Sequence, residues 1–132
     1  MKYVIDTHAY LWFLTGNARL SLTAKTLLSD LSNTFVLPAT ALGEACWIVE
    51  RGRTSIPSPS VILAALDADP RFHVSPLDRA VIERSNRLTS IGEMHDRQIV
   101  ATTLLLIEGG ETASLITTDG NITASGLVPV VW

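Results

Sequence analysis

Four acidic residues stand at positions where the sequence pattern could bring them together. Asp6 and Asp119 follow short apolar runs, Asp96 opens a helical pattern, and Glu44 lies inside an apolar helical pattern. Several carboxylates in one pocket repel each other and take up protons unless a cation lies among them. Oxygen ligands of this kind suit Mg²⁺, which keeps several waters and contacts phosphate oxygens. These four acids therefore form a candidate site for a hard divalent cation.

Each of the four acids also has an ordinary structural explanation. Asp6 and Asp119 could simply form turns, and Asp96 could cap its helix. Glu44 could be an exposed helical residue. The surroundings favour a joint role, because Asp6 precedes an apolar helical pattern and Glu44 lies within the apolar run at residues 41–49. An unpaired charge in such surroundings is costly.

Short apolar strands alternate with helical patterns along the chain. Strands are predicted at residues 3–6, 34–37, 72–75, 114–117 and 128–131. Helices are predicted at residues 7–14, 21–31, 38–52, 58–69, 76–88 and 96–109. This alternation predicts a parallel sheet with helices on both faces, whose ligands lie at the carboxyl ends of the strands. If the first and fourth strands are neighbours, about 4.8 Å apart, Asp6 and Asp119 could share one cation. Pro129 favours an edge position for the last strand.

Composition and charge narrow the class of protein. The 132 residues fit one domain, which we assign to residues 1–132, and 47% hydrophobic against 17% charged residues argues against disorder. A single cysteine, Cys46, excludes an internal disulfide and suits the reducing cytoplasm, where we expect the protein. The net charge of −3 argues against a nucleic-acid partner. That objection weakens if bound metal neutralises the four acids, and basic residues recur locally, as at Arg51 and Arg53.

Other catalytic templates fit the sequence poorly. His8, His73 and His95 are scattered, which gives no zinc-ligand spacing. No glycine-rich phosphate loop and no Gly-x-Ser-x-Gly elbow occur. A phosphoryl-accepting receiver domain would need a lysine late in the chain, whereas the only lysines are Lys2 and Lys25. His8 and His95 adjoin proposed acids, so they could contact a substrate or be ordinary exposed residues.

Four segments resemble, in the right order, the motifs of PIN-domain toxins of the VapC type. Residues 4–12 (VIDTHAYLW) resemble the opening Asp-Thr-His…Leu-Trp segment. Residues 40–53 (TALGEACWIVERGR) resemble the Glu-bearing helix that ends in Gly-Arg. Residues 95–102 (HDRQIVAT) resemble the Asp-Arg-x-Ile-x-Ala-Thr segment. Residues 115–122 (LITTDGNI), with the closing VVW, resemble the final motif and terminal strand.

This resemblance implies a three-layer α/β/α sandwich of the PIN-like, Rossmann-like type with a five-stranded parallel sheet. It also implies a Mg²⁺- or Mn²⁺-dependent endoribonuclease, held in check by a cognate antitoxin and usually dimeric. Carried over by position, Asp6, Asp96 and Asp119 would hold the metal, and Glu44 would act on the attacking water. Thr117 would orient a ligand or a water molecule.

The remaining features leave alternatives open. The chain departs from the family pattern at Gly43, where an aromatic residue often precedes the acid, and at Glu93 and Met94, which replace a commoner proline-containing approach. Arg97 is a candidate contact to the RNA backbone. The apolar segments at residues 11–14 and 47–49 could include a dimer or antitoxin surface, although core packing is their commoner use. A catalytically inactive PIN-like module that binds RNA or protein is the alternative function.

Overall fold

The computed structural model describes all 132 residues and contains five strands and seven helices. The strands are β1 (Lys2–Ile5), β2 (Thr34–Pro38), β3 (Phe72–Ser75), β4 (Ala113–Ile116) and β5 (Val130–Val131). The helices are α1 (Thr7–Thr15), α2 (Leu22–Ser29), α3 (Ala39–Glu50), α4 (Pro59–Ala68), α5 (Arg79–Ser85), α6 (Met94–Glu108) and α7 (Gly120–Ser125). None of these helices combines the length and the hydrophobicity that crossing a bilayer requires.

All five strands pair in parallel, in the order β3-β2-β1-β4-β5. The predicted five-stranded parallel sheet is therefore confirmed, and so is the assumed contact between the first and fourth strands, where Ile5 lies opposite Ile116. The chain leaves β1 towards one edge of the sheet and leaves β4 towards the other. Right-handed crossovers consequently put helices on both faces. The gap between the carboxyl ends of β1 and β4 is the switch point at which such sheets bind ligands.

The central strands are apolar because helices cover them on both faces. Every residue of β4 and three of the four in β1 are buried. The buried segment of α6, residues 98–104, is enclosed all round because α6 packs against α5, α3 and β4. As expected from Pro129, β5 lies at an edge of the sheet and contributes only two residues. The centre of the molecule is thus rigid directly beneath the switch point.

Three element boundaries differ from the sequence prediction. Helix α6 begins at Met94, not at Asp96, because the Glu93 carboxylate accepts the Asp96 backbone N–H at 2.8 Å and takes the capping position. Helix α2 is capped by Ser21 as predicted but ends at Ser29, two residues early. Helix α7 was not predicted at all, since its six residues carry too short an apolar pattern to be recognised.

The apolar segments considered as partner surfaces belong largely to the core. Leu11 is 2% exposed and Val49 is 3% exposed, so both pack inside the molecule. Trp47, by contrast, is 57% exposed on α3, and the Arg51 guanidinium lies 4.0 Å from its ring centroid. Core packing therefore accounts for most of the two segments, and Trp47 is the large side chain that they leave at the surface.

Candidate active site

The carboxyl ends of β1 and β4 hold Asp6 and Asp119 on either side of a buried threonine. Thr117 is 1% exposed and donates its hydroxyl to Asp6 Oδ2 at 2.5 Å. The same hydroxyl accepts the backbone N–H of Asp119 at 3.0 Å. One side chain therefore orients the first acid and fixes the position of the last. The sequence analysis expected Thr117 to orient a ligand, and the residue it contacts is Asp6.

Asp119 caps a helix and still has a free oxygen. Its Oδ1 accepts the N–H of Ile122 at 2.9 Å, which makes it the N-cap of α7. The ordinary structural explanation for Asp119 is therefore correct as far as it goes. Its other oxygen, Oδ2, accepts no hydrogen bond from the protein, so a cation could still bind there.

Helix α3 brings Glu44 to the same edge of the sheet. Thr7, the residue after Asp6, donates its hydroxyl to Glu44 Oε1 at 3.1 Å. Burial raises the pKa of Glu44, while the charge of His95 and the Thr7 hydrogen bond oppose that rise. Glu44 is consequently not an ordinary solvated helical residue, because it is held next to Asp6.

Asp96 lies in the first turn of α6 and has the most strongly perturbed carboxylate of the four. It accepts no hydrogen bond from the protein through its side chain. Burial is the largest cause that raises its pKa to about 7, and the negative charges of Asp119, Glu93, Asp6 and Glu44 raise it further. Like charges act on a pKa in this way only when they lie near each other. The structure therefore brings all four predicted acids into one cluster.

Asp6 belongs to the same electrostatic system. Burial raises the pKa of its carboxyl, and the like charge of Asp119 adds to that effect. The hydrogen bond from Thr117 and the charge of His8 lower the pKa and offset part of the rise. The Thr117 hydroxyl thus favours the ionised form of Asp6, which is the form that binds a cation.

Two residues that sequence reasoning did not assign to the site lie within it. Glu93 contacts His95, with Oε1 2.9 Å from Nδ1, and its other oxygen caps α6. Burial raises the pKa of Glu93, but hydrogen bonds from the His95 and Asp96 N–H groups and from the His95 ring outweigh it and leave the pKa lowered. The signal for Glu93 was its place three residues before Asp96, the spacing of a cap.

The chemistry of the cluster suits a hard cation, although its geometry is open. Apart from the imidazole of His95, every side chain in it offers oxygen donors, and Asp96 has no partner that would neutralise it. No three acidic, histidine or cysteine side chains are grouped closely enough to ligate one ion directly. Mg²⁺ does not need such a cage, because it retains several waters and is commonly held by one or two carboxylates. The donor set therefore fits Mg²⁺ held partly through water, and a direct contact from a third side chain would need a rotamer change.

The surface around the cluster is open to a large substrate. A cleft of about 560 Å³ adjoins Glu44 and His95, and the exposed side chains of Trp47, Leu77 and Met94 form part of its wall. Arg97, the predicted substrate contact, uses its Nε to donate to the Ile91 carbonyl at 2.5 Å. That bond ties the loop before α6 to the helix and leaves the terminal NH groups of Arg97 for other contacts.

Comparison with protein families identifies the fold to which this site belongs. The family model described as "PIN domain" matches residues 3–124, nearly the whole chain. The chain belongs to the PIN-domain family. The resemblance seen in the four sequence motifs is therefore confirmed, and the four acids of this PIN domain occupy the switch point of its sheet. A search of curated proteins by sequence finds no match.

Solved structures of other PIN-type toxins share the fold over nearly their full length. The sarcin–ricin loop cleaving toxin VapC20 of Mycobacterium tuberculosis is 20% identical, with a TM-score of 0.68 and 96% of each chain covered. A toxin–antitoxin complex from Klebsiella pneumoniae is 20% identical, with a TM-score of 0.71, and covers 98% of this chain and 96% of that one. VapBC2 from Rickettsia felis, bound to a promoter DNA fragment, is 15% identical, with a TM-score of 0.69 and coverage of 99% and 98%. At these identities the likeness concerns the fold.

Proposed function

We propose that this PIN domain is a Mg²⁺-dependent endoribonuclease and the toxin component of a VapBC-type toxin–antitoxin system. The observation that carries the proposal is the meeting of Asp6, Glu44, Asp96 and Asp119 at the switch point of a PIN-type sheet. Keeping so many carboxylates together without a bound cation raises their pKa values, so a structural role alone gives no reason for the arrangement. Mn²⁺ would suit the same donors.

The three aspartates are the proposed metal ligands. Asp6 and Asp119 flank Thr117, and Asp96 faces them from α6 with a carboxylate that has no protein partner. A divalent cation bound there would lower the pKa of a bound water and stabilise charge on the phosphoryl oxygens. The aspartates would hold and orient that cation, and Thr117 would keep Asp6 ionised and correctly turned.

Glu44 is the proposed base for the attacking water. Its raised pKa suits proton transfer near neutral pH. The Thr7 hydroxyl occupies Oε1, so Oε2 is the oxygen that would accept the proton of the water. Arg97 would guide the RNA backbone with its terminal NH groups. The products would carry the phosphate on one side of the cut and a hydroxyl on the other.

A cognate antitoxin and a second copy of this chain are the proposed partners, in the cytoplasm. The support is that two of the similar structures are toxin–antitoxin assemblies. The exposed Trp47 on α3 and the exposed Val61 and Leu63 on α4 provide apolar surface for such contacts. Co-purification of the chain with the product of a neighbouring gene, followed by mapping of the contacts, tests this part of the proposal.

Cleavage of RNA with and without EDTA tests the catalytic part. We expect cleavage in Mg²⁺ or Mn²⁺, its loss in EDTA, and its loss in Asp6→Asn and Asp119→Asn, which keep side-chain shape but reduce ligand charge. Full metal-dependent cleavage by either variant would contradict the assignment of that residue. Absence of cleavage by the folded wild type, together with retained RNA or protein binding, would favour the inactive binding module instead.

A further inference from the structure

We infer that a second cleft, between the start of α1 and the end of α3, binds the phosphates of single-stranded RNA beside the acidic site. The inference rests on the proposed ribonuclease function. The cleft has a volume of about 770 Å³, and its wall includes His8, Trp12 and Arg19 on one side and Arg53 and Thr54 on the other. We call it the arginine cleft.

The arginine cleft is positively charged in a chain whose net charge is negative. The protein has 13 acidic and 10 basic residues other than histidine, yet none of the residues that line this cleft is acidic. Arg71, Arg79 and Arg84 form ion pairs with carboxylates elsewhere in the molecule. Arg19 and Arg53 form none, so both guanidinium groups are free to bind an external anion. Guanidinium groups suit phosphate because they can donate two parallel hydrogen bonds.

The arginine cleft begins where the acidic cluster ends. His8 lies two residues after Asp6 in the first turn of α1, and Ile48 lies one turn after Glu44 on α3. A nucleic-acid strand with one phosphate at the acids would therefore continue along this cleft. The location makes the anion that it binds most simply explained as the adjacent phosphates of the substrate strand.

Aromatic rings in the wall favour a single strand. His8 is exposed, and its ring stacks on Trp12 with centroids 5.8 Å apart. Trp12 in turn contacts Trp132 edge-on at 5.8 Å, which holds it in place. Stacking surfaces combined with positive charge are the usual means of binding unpaired nucleotides. A duplex already stacks its bases internally and gains nothing from such rings. An acidic protein segment would use the arginines but would not need the stacked rings.

The test compares RNA binding by wild type and by the double variant Arg19→Ala/Arg53→Ala. A fluorescein-labelled single-stranded oligoribonucleotide is titrated by anisotropy, with Ca²⁺ in place of Mg²⁺, over a range of salt concentrations. We expect the Kd to rise about tenfold or more in the double variant, and the slope of log K against log salt to fall by about two, one for each phosphate contact. Arg87→Ala, an exposed arginine outside the cleft, is the matched control and should bind as wild type does.

Hydrolysis of bis(p-nitrophenyl) phosphate separates this inference from the proposed function. That small diester has no flanking nucleotides, so the double variant should hydrolyse it at the wild-type rate while its KM for RNA rises. Wild-type affinity for the oligonucleotide in the double variant would overturn the inference, and so would equal wild-type affinity for the same sequence as a duplex. Failure of the wild type to cleave either substrate would refute the proposed function, while the binding comparison would still decide the inference.

Discussion

Replacing Asp96 with asparagine should stabilise the metal-free protein. The pKa of Asp96 rises from 3.8 to about 7 in the folded chain, a difference of about three units. Each unit corresponds to about 1.4 kcal/mol, so the ionised carboxylate costs at most about 4 kcal/mol above neutral pH. Asp96 is partly exposed, and solvent screening reduces that cost to about 1–2 kcal/mol. Asparagine keeps the shape and removes the charge.

An opposing effect makes the outcome of this substitution informative. Asp96 lies in the first turn of α6, where a negative charge favours the helix by about 0.3–1 kcal/mol. If Asp96 were an isolated helix-start residue, Asp96→Asn would therefore destabilise the protein. If the acids repel each other as described, the variant should gain about 1 kcal/mol net. For a chain of this length that gain is about 3–5 °C in Tm.

The pH dependence gives the second part of this prediction. An acid whose folded pKa is raised destabilises the fold fully above that pKa, and the penalty shrinks as pH falls through about 7 towards the unfolded value of 3.8. The advantage of the variant should therefore be largest near about pH 8 and less than half as large near about pH 5. A variant that is less stable than wild type at both pH values would refute the reasoning.

The assay is thermal and urea unfolding of both proteins, each in EDTA and in Mg²⁺. Cation binding to the folded state raises stability by RT ln(1 + [L]/Kd). We expect Mg²⁺ to raise the Tm of the wild type and to raise that of the variant much less, so that the order of stability narrows or reverses. An equal Mg²⁺ effect on the two proteins would show that Asp96 is not a ligand.

Three further substitutions test other contacts of the site. Thr117→Val removes the hydrogen bonds to Asp6 and Asp119 and should lower RNA cleavage about 10–100-fold and weaken the Mg²⁺-induced rise in Tm, whereas Thr117→Ser should restore both; unchanged cleavage in the valine variant would contradict the orienting role. Glu44→Gln should reduce kcat at least about 100-fold but keep the Mg²⁺-induced rise in Tm, and loss of that rise would make Glu44 a metal ligand instead. Thr40→Val leaves the buried Gln98 side-chain carbonyl without its 2.8 Å donor and should lower the free energy of unfolding in urea by about 1–3 kcal/mol, and a neutral result would mean that water replaces the threonine.

The sequence was sufficient to predict the sheet and the acids that follow its strands. Buried parallel strands are continuous apolar runs, so β1, β2 and β4 are visible without any tertiary information. The rule that ligands lie at the carboxyl ends then points directly to Asp6 and Asp119. Glu44 was harder, because a helix has no such rule, and only its apolar surroundings indicated a special role.

The contacts inside the site could not be predicted from one chain of letters. Glu93 looked like a departure from a family pattern, and its role as cap of α6 and neighbour of His95 depends on how the loop before the helix folds. The bond from Thr7 to Glu44 joins two helices that are distant in sequence. Arg19 and Arg53 showed no pattern together, because only the packing of α1 against α3 makes them face one cleft.

The contact between Thr117 and Asp6 joins residues 111 positions apart, one near each end of the chain. A growing polypeptide carries its first acid from the start of synthesis, but β4 and the last acid emerge only after most of the molecule has been made. Any shortened translation product that ends before residue 113 lacks the strand against which β1 must pair on that side. An RNA-cutting toxin built in this way would be harmless to the ribosome that is making it until translation is almost finished.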